Sequence, residues 1–161
     1  MKKCIHGFIE TDIGVIRVTA GPGGVSEVNF MDEVTDPGVM KLDDGEEPNL
    51  SECLRQLKEY FAGERMEFNL KLDPDGTEFQ KEVWNELQKI PYAETVSYGN
   101  IAEKLGRPGA ARAVGRANSL NPIAIIVPCH RVIGAGGGLT GYAAGLDRKR
   151  YLLQLEKERI V

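Results

Sequence analysis

The stretch Asn121-Pro122-Ile123-Ala124-Ile125-Ile126-Val127-Pro128-Cys129-His130-Arg131-Val132 constrains this chain more than any other. An apolar run delivers a cysteine, and a histidine follows it at once. Prolines stiffen both ends of the run, because proline fixes φ and pushes the residue before it towards extended geometry. Such a run is too apolar for a surface loop. It reads as a buried segment that ends by presenting Cys129 and His130 at a fixed place. Two readings of Cys129 are open at this point. It is an inert core cysteine, or it is a nucleophile whose thiolate is stabilised by nearby cations or a base. Adjacency to His130 does not decide between them, since neighbouring side chains often diverge.

The 161 residues suffice for one ordinary domain or two small ones. With 42% hydrophobic and 27% charged residues, the composition is that of a folded globular chain. No apolar run is long enough to span a membrane. Met1-Lys2-Lys3-Cys4-Ile5-His6-Gly7 has no apolar signal core, which argues against secretion. Cys4, Cys53 and Cys129 show no paired spacing, so a reducing cytoplasm is the expected location. The histidines are His6 and His130 alone, so no four-ligand metal site is expected. No dinucleotide, nucleotide or calcium-loop pattern is present either, so no cofactor is expected.

Net charge is −4, but it is unevenly spread. Residues 1–76 hold 8 Lys+Arg against 16 Asp+Glu, and residues 77–161 hold 12 against 8. From Lys104 to Leu146 there is no acid at all, and the stretch carries Lys104, Arg107, Arg112, Arg116 and Arg131. A basic island in an acidic protein suits a phosphate backbone, or it is a chance asymmetry between two halves.

The pattern predicts an α+β chain. Residues 3–30 read as strands, with Gly21-Pro22-Gly23-Gly24 turning a hairpin. The acidic stretch from Asp32 to Pro48 reads as a connection. A helix follows, capped by Asn49 with Glu52 and ended by Gly63, with Leu50, Cys53, Leu54, Leu57 and Phe61 on its apolar face. Phe68, Leu70 and Leu72 alternate as a short strand. Asp73-Pro74-Asp75-Gly76 marks a boundary, giving domains 1–75 and 76–161. The second is expected to be mainly helical. Thr77 and Gln80 form a capping box for a helix carrying Phe79, Val83, Trp84 and Leu87. Ser97 caps a short helix that ends at Gly106, and a second runs from Gly109 to about Asn118 with Pro108 in its first turn. Together they make a helix-turn-helix, or simply a tightly packed helix pair with solvated arginines. The second helix is rich in small residues, with Arg112 and Arg116 on one face. Five glycines follow between Ile133 and Tyr142. The last helix, from about Asp147 to Arg159, centres Glu156 on its apolar stripe. A carboxylate there needs a partner, for which a histidine is the natural candidate, or it is a half-exposed glutamate at a fraying terminus.

As a group, these residues resemble the O6-alkylguanine-DNA alkyltransferases, the methylated-DNA–protein-cysteine methyltransferases. The resemblance rests on Asn121-Pro122, Pro128-Cys129-His130-Arg131-Val132, Ser97-Tyr98, Ala111-Arg112-Ala113-Val114-Gly115, Thr140-Gly141-Tyr142 and the final helix with Glu156. It runs nearly continuously through residues 77–161. It implies DNA repair by direct damage reversal, with duplex DNA as partner and the chain acting as a monomer. An alkyl group leaves O6 of guanine, or less readily O4 of thymine, and stays on Cys129. His130 acts as base through a water, oriented by Glu156. Tyr98 crowds the target phosphate and protonates the departing guanine. Arg112 enters the duplex and fills the gap left by the flipped base, with Ser97, Tyr98, Ala111, Gly115 and Arg116 at the DNA surface. Asn121 is the hinge between the helix-turn-helix and the active-site turn. Tyr142, Ala143, Ala144, Pro122 and Val132 line the alkyl pocket. The resemblance also implies a ribonuclease H-like N-terminal domain.

Relatives commonly show Tyr-x-Gly-Gly where this chain has Tyr142-Ala143-Ala144-Gly145. The Ala144 methyl is therefore expected to narrow the pocket. The N-terminal zinc site of some members is not carried over, because its ligands are not all present. The alternative is a lesion-binding protein of the alkyltransferase-like kind, but those lack the acceptor cysteine. A transcription regulator or a cysteine hydrolase finds still less support in the sequence.

Overall fold

The computed structural model describes residues 4–31, 47–139 and 141–159. Most of the acidic connection lies outside the described residues, as does Thr140. The chain divides into two compact units, one ending at Asp75 and the other beginning at Gly76.

The first unit is a three-stranded antiparallel sheet in the order β1 (Ile5–Thr11), β2 (Gly14–Gly21), β3 (Gly24–Met31), with one helix, α1 (Pro48–Phe61), packed on it. Gly21–Gly24 closes the β2–β3 hairpin, as the glycine cluster predicts. Leu50, Cys53, Leu54, Leu57 and Tyr60 of α1 are buried against Phe8, Ile16, Val18, Val25 and Val28 of the sheet. Gly7 permits that approach, since a Cβ there would stand 2.8 Å from Leu54 Cδ1.

Two local expectations fail in this unit. The cap of α1 is Glu47, whose carboxylate accepts from the Asn49 amide at 3.1 Å, and Pro48 takes the first helical position. Asn49 instead donates its side-chain amide to Gly21 O at 2.8 Å. The residue 68–72 segment forms no regular strand. It meets β3 only at the parallel Val25–Leu72 bridge. The buried Gln56 amide satisfies the Asn69 backbone instead, accepting from its N–H at 2.9 Å and donating to its C=O at 3.0 Å.

The second unit is mainly helical: α2 (Glu78–Leu87), α3 (Tyr98–Lys104), α4 (Ala111–Ser119) and α5 (Leu146–Arg159). The Thr77–Gln80 capping box is formed, and Ser97 caps α3 with Asn100 as its reciprocal partner. Gly106 stands at φ 72° where α3 ends. The next helix starts later than its composition suggests. Pro108 and Gly109 lie in a turn closed by Ala110 N–H donating to Arg107 O at 2.9 Å, and α4 begins at Ala111. Trp84 anchors α4: its indole N–H donates to Ala117 O at 2.9 Å.

A short parallel pairing joins β4 (Val96–Ser97) to β5 (Val132–Ile133). It sets the N-terminus of α3 beside the backbone that immediately follows Cys129-His130-Arg131. Residues far apart in sequence are thereby brought to one place.

Candidate active site

The apolar run folds into tight turns. Asn121 clasps them: its side-chain oxygen accepts from Ile123 N–H at 3.0 Å, and its amide donates to Val127 O at 2.8 Å. Ile123, Ile125, Ile126 and Val127 are all buried. Ile125 is held at φ 72°, a left-handed geometry that costs a residue with a Cβ roughly 1–2 kcal/mol. Packing on every side of Ile125 offsets that strain. The run ends in a 3-10 turn, Cys129–Arg131, in which all three side chains are buried. Asn118, buried near the end of α4, donates to Cys129 O at 3.3 Å.

His130 has no exposed surface, and its Nε2 lies 2.6 Å from Glu156 Oε2 on α5. This is the contact to which the apolar stripe of the last helix points. A carboxylate on Nε2 places the proton there and leaves Nδ1 with its lone pair. Nδ1 is buried and makes no hydrogen bond among the described residues. No direct bond therefore ties it to Cys129.

Glu156 takes more partners than the sequence suggests. Arg131 donates Nε to Oε1 at 2.8 Å and Nη2 to Oε2 at 3.0 Å. Ala93 N–H donates to Oε1 at 3.1 Å, from a backbone at φ 65°. Arg131 also donates Nη1 to Ile90 O at 2.8 Å and lies over the Tyr92 ring. Arg131 is thus an interior residue and not part of an exposed basic island. Counting charge along a sequence is blind to burial, and a guanidinium three residues past a buried proline follows its carboxylate inward. Arg112, Arg116, Lys104 and Arg107 are exposed, and Arg107 pairs loosely with Glu82 at 3.8 Å.

The three titrating groups are shifted for different reasons. Burial pushes the Cys129 thiol up, opposed by the Asn121 side chain, the Lys149 charge, its own backbone amide and Tyr142. Burial pulls His130 below the ordinary imidazole range, against the pull of Glu156, and the charges of Arg131 and Lys149 push it down further. Burial alone would raise Glu156, but His130 and Arg131 outweigh it and hold the carboxyl well below its usual range. Cys53 provides the contrast. It is buried on α1 with no polar neighbour acting on it, and desolvation alone pushes it up to about 12. Cys53 is a core cysteine.

Lys149 is absent from the sequence-level candidates. Its ammonium is fully buried and donates to Val132 O at 2.6 Å. The only signal in the sequence is its seven-residue spacing from Glu156, two turns along the same helical face. Tyr142 places a buried hydroxyl whose main electrostatic neighbour is Cys129. Ala144 is half-buried, its carbonyl accepting from Arg148 at 3.3 Å, while Ala143 is exposed. Pro122 is half-buried and the Val132 side chain fully so. Tyr98 begins α3, and its ring lies against α4 at Gly115, where a Cβ would stand 3.7 Å away. Ser97 and Ala111 are half-buried at the N-termini of α3 and α4. Among the described residues, no group of three or more His, Cys, Asp or Glu side chains could hold a metal ion. No helix among them is long and apolar enough to cross a membrane.

Residues 78–158 match the family described as 6-O-methylguanine DNA methyltransferase, DNA binding domain, and residues 4–74 match its ribonuclease-like domain. A methylated-DNA–protein-cysteine methyltransferase of Methanosarcina acetivorans is 54% identical over 94% of this chain and 97% of the relative. One of Mycobacterium tuberculosis is 51% identical over 96% of this chain and 84% of the relative. The crystal structure of Mycobacterium tuberculosis O6-methylguanine methyltransferase superposes with a TM-score of 0.85 at 47% identity, covering 98% of this chain and 95% of that one. The crystal structure of Mycobacterium tuberculosis OGT in complex with DNA gives 0.83 at 50% identity, covering 96% and 93%.

Proposed function

This chain belongs to the 6-O-methylguanine DNA methyltransferase family, whose members repair DNA by alkyl transfer to a cysteine, and we propose that Cys129 is its acceptor and the residues around it the machinery of one irreversible transfer. The observation that carries this reading is the buried thiol of Cys129 beside a histidine whose Nε2 is held by Glu156. The substrate is O6-alkylguanine in duplex DNA, with O4-alkylthymine a poorer one. The chain works as a monomer, and its place is the cytoplasm, where the cysteines stay reduced.

His130 Nδ1 takes the thiol proton through a water. The sulfur attacks the alkyl carbon, a C–S bond forms, and the bond from that carbon to O6 breaks. The electron pair passes to the guanine, which takes a proton from Tyr98. A resting thiol whose ionisation is opposed by burial suits this order, because the thiolate forms only as the proton is removed. The product is a thioether with no carbonyl for water to attack, so the protein reacts once.

A base inside a duplex is out of reach until it is extruded, at a cost of a few kcal/mol. Arg112, exposed near the start of α4, offsets that cost by filling the gap. Arg116, Ser97, Tyr98, Ala111 and Gly115 form the surrounding DNA surface. Asn121 ties α4 to the acceptor turn through its clasp. Tyr142, Ala143, Ala144, Pro122 and Val132 form the alkyl pocket.

The test is transfer of a radiolabelled methyl group from an O6-methylguanine duplex to the protein. Label should reach one equivalent per chain and no more, and be absent with Cys129→Ala. Label retained in that variant would refute the assignment.

A further inference from the structure

Glu156 receives four donors: His130 Nε2 at 2.6 Å, Arg131 Nε at 2.8 Å, Arg131 Nη2 at 3.0 Å and Ala93 N at 3.1 Å. Two of these come from one guanidinium in the fork geometry that fits a carboxylate. Arg131 is itself fixed on its third side by Ile90 O at 2.8 Å, and its side chain is only 7% exposed. Nothing in the proposed transfer needs an arginine at this position. A buried, bidentate arginine on the carboxylate that orients the base has a consequence for the base.

We propose that Arg131 is a positioning residue of the proton-accepting pair, fixing the Glu156 carboxylate against His130 Nε2 and setting how tightly His130 holds a proton. The inference rests on the function proposed above. A carboxylate shared with an arginine attracts an imidazolium less than a carboxylate that faces the histidine alone. His130 therefore stays oriented by Glu156 without being charged by it. It rests neutral with Nδ1 free, which is the form that accepts a proton. The charged groups acting on His130 are Glu156 and Lys149 from α5 and Arg131 from its own turn. The segment before β4 contributes the Tyr92 phenol and the Ala93 amide. The Cys129 thiol is its chain neighbour. Removing Arg131 leaves Lys149 as the one cation opposing Glu156 among these groups.

The experiment measures single-turnover methyl transfer from an O6-methylguanine duplex across pH 5–9 for the wild type, Arg131→Met, Arg131→Gln and Arg131→Lys. In both neutral variants His130 holds its proton more tightly, so the acid limb of the profile should move to higher pH by about one unit. Below that limb the rate should fall about tenfold, while the alkaline plateau changes less. Arg131→Lys keeps the charge and should restore the limb, even with a lower plateau. A loss by the same factor at every pH in the neutral variants would make Arg131 a structural residue only and overturn the proposal.

Imidazole nitrogen NMR provides a second readout that needs no DNA. His6→Gln leaves His130 as the single histidine. In that background His130 should be the neutral Nε2–H tautomer at pH 6.5 with Arg131 intact, and its titration midpoint should move up by about one unit when Arg131→Gln is added; an unmoved midpoint would overturn the proposal. An Nδ1–H tautomer, or an imidazolium at that pH in the protein with Arg131 intact, would also overturn the proposal. A wild-type protein that transfers no methyl group would refute the proposed function, and the NMR result would still judge the assignment of Arg131.

Discussion

Replacing Glu156 by Gln keeps the shape of the side chain and removes its charge. The carboxylate has no exposed surface, and four hydrogen bonds converge on it from His130, Arg131 and the Ala93 amide. In the variant one terminal oxygen becomes an amide NH2 group, a donor among donors. The Arg131 guanidinium, 7% exposed, is left with Ile90 O and little water. Removing one partner of a buried pair costs about 3–5 kcal/mol, a large share of the ~5–15 kcal/mol that holds a domain folded. Trp84 is the only tryptophan, is buried in the same unit, and reports its unfolding. In urea, a loss of ~3 kcal/mol at a slope of ~1.5 kcal/mol/M lowers the midpoint by about 2 M. The double variant Glu156→Met with Arg131→Met removes both charges and should recover most of the loss. A single-variant loss below ~1 kcal/mol, or a double variant as unstable as the two losses added, would show that the network does not hold the unit together.

Three further outcomes follow from the same geometry. Ala144→Gly should raise the rate of benzyl transfer relative to methyl transfer if Ala144, which is half-buried, lines the alkyl pocket as proposed; an unchanged ratio would remove Ala144 from the specificity argument. Arg112→Ala should slow repair in duplex DNA far more than transfer from the free base, and equal losses would count against a gap-filling role. His130 and Glu156 both have folded values below their ordinary 6.5 and 4.5. The unfolded chain therefore binds protons first on acidification, and both groups lose stability as pH falls. The His130 contribution is full above about pH 6.5 and declines below it, and that of Glu156 declines below about pH 4.5. Thermal midpoints taken from pH 8 to pH 4 should fall in that order, and a flat profile would contradict the buried pair.

The readable parts of this chain are those set by local rules. Thr77 with Gln80, and Ser97 before a short apolar face, are capping signals complete within four residues, and both helices start where those signals stand. The Gly21–Gly24 hairpin is a turn decided by its own residues. Cys129 and His130 are legible because an apolar run between prolines has few places to go. The misread parts depend on partners distant in sequence. Asn49 looks like a cap but is taken by Gly21 O, so Glu47 caps in its place. Leu70 looks like strand, but Gln56 satisfies the Asn69 backbone next to it. Arg131 looks like a surface cation until α5 brings Glu156 to it. Lys149 has no signal beyond its spacing from Glu156, because its partner Val132 O is a backbone atom placed by the fold. The left-handed backbones of Ala93 and Ile125 are likewise invisible, since neither residue type favours that geometry.

The central claim is that Cys129 is consumed in one irreversible transfer. The most direct test incubates the protein with excess duplex containing O6-methylguanine, weighs it intact over time, and maps the modified peptide. The account predicts a gain of one methylene unit that rises to a single equivalent, stops there, and lies on Cys129. A gain on another residue, a mass unchanged while the DNA is repaired, or repair beyond one equivalent per chain would contradict it.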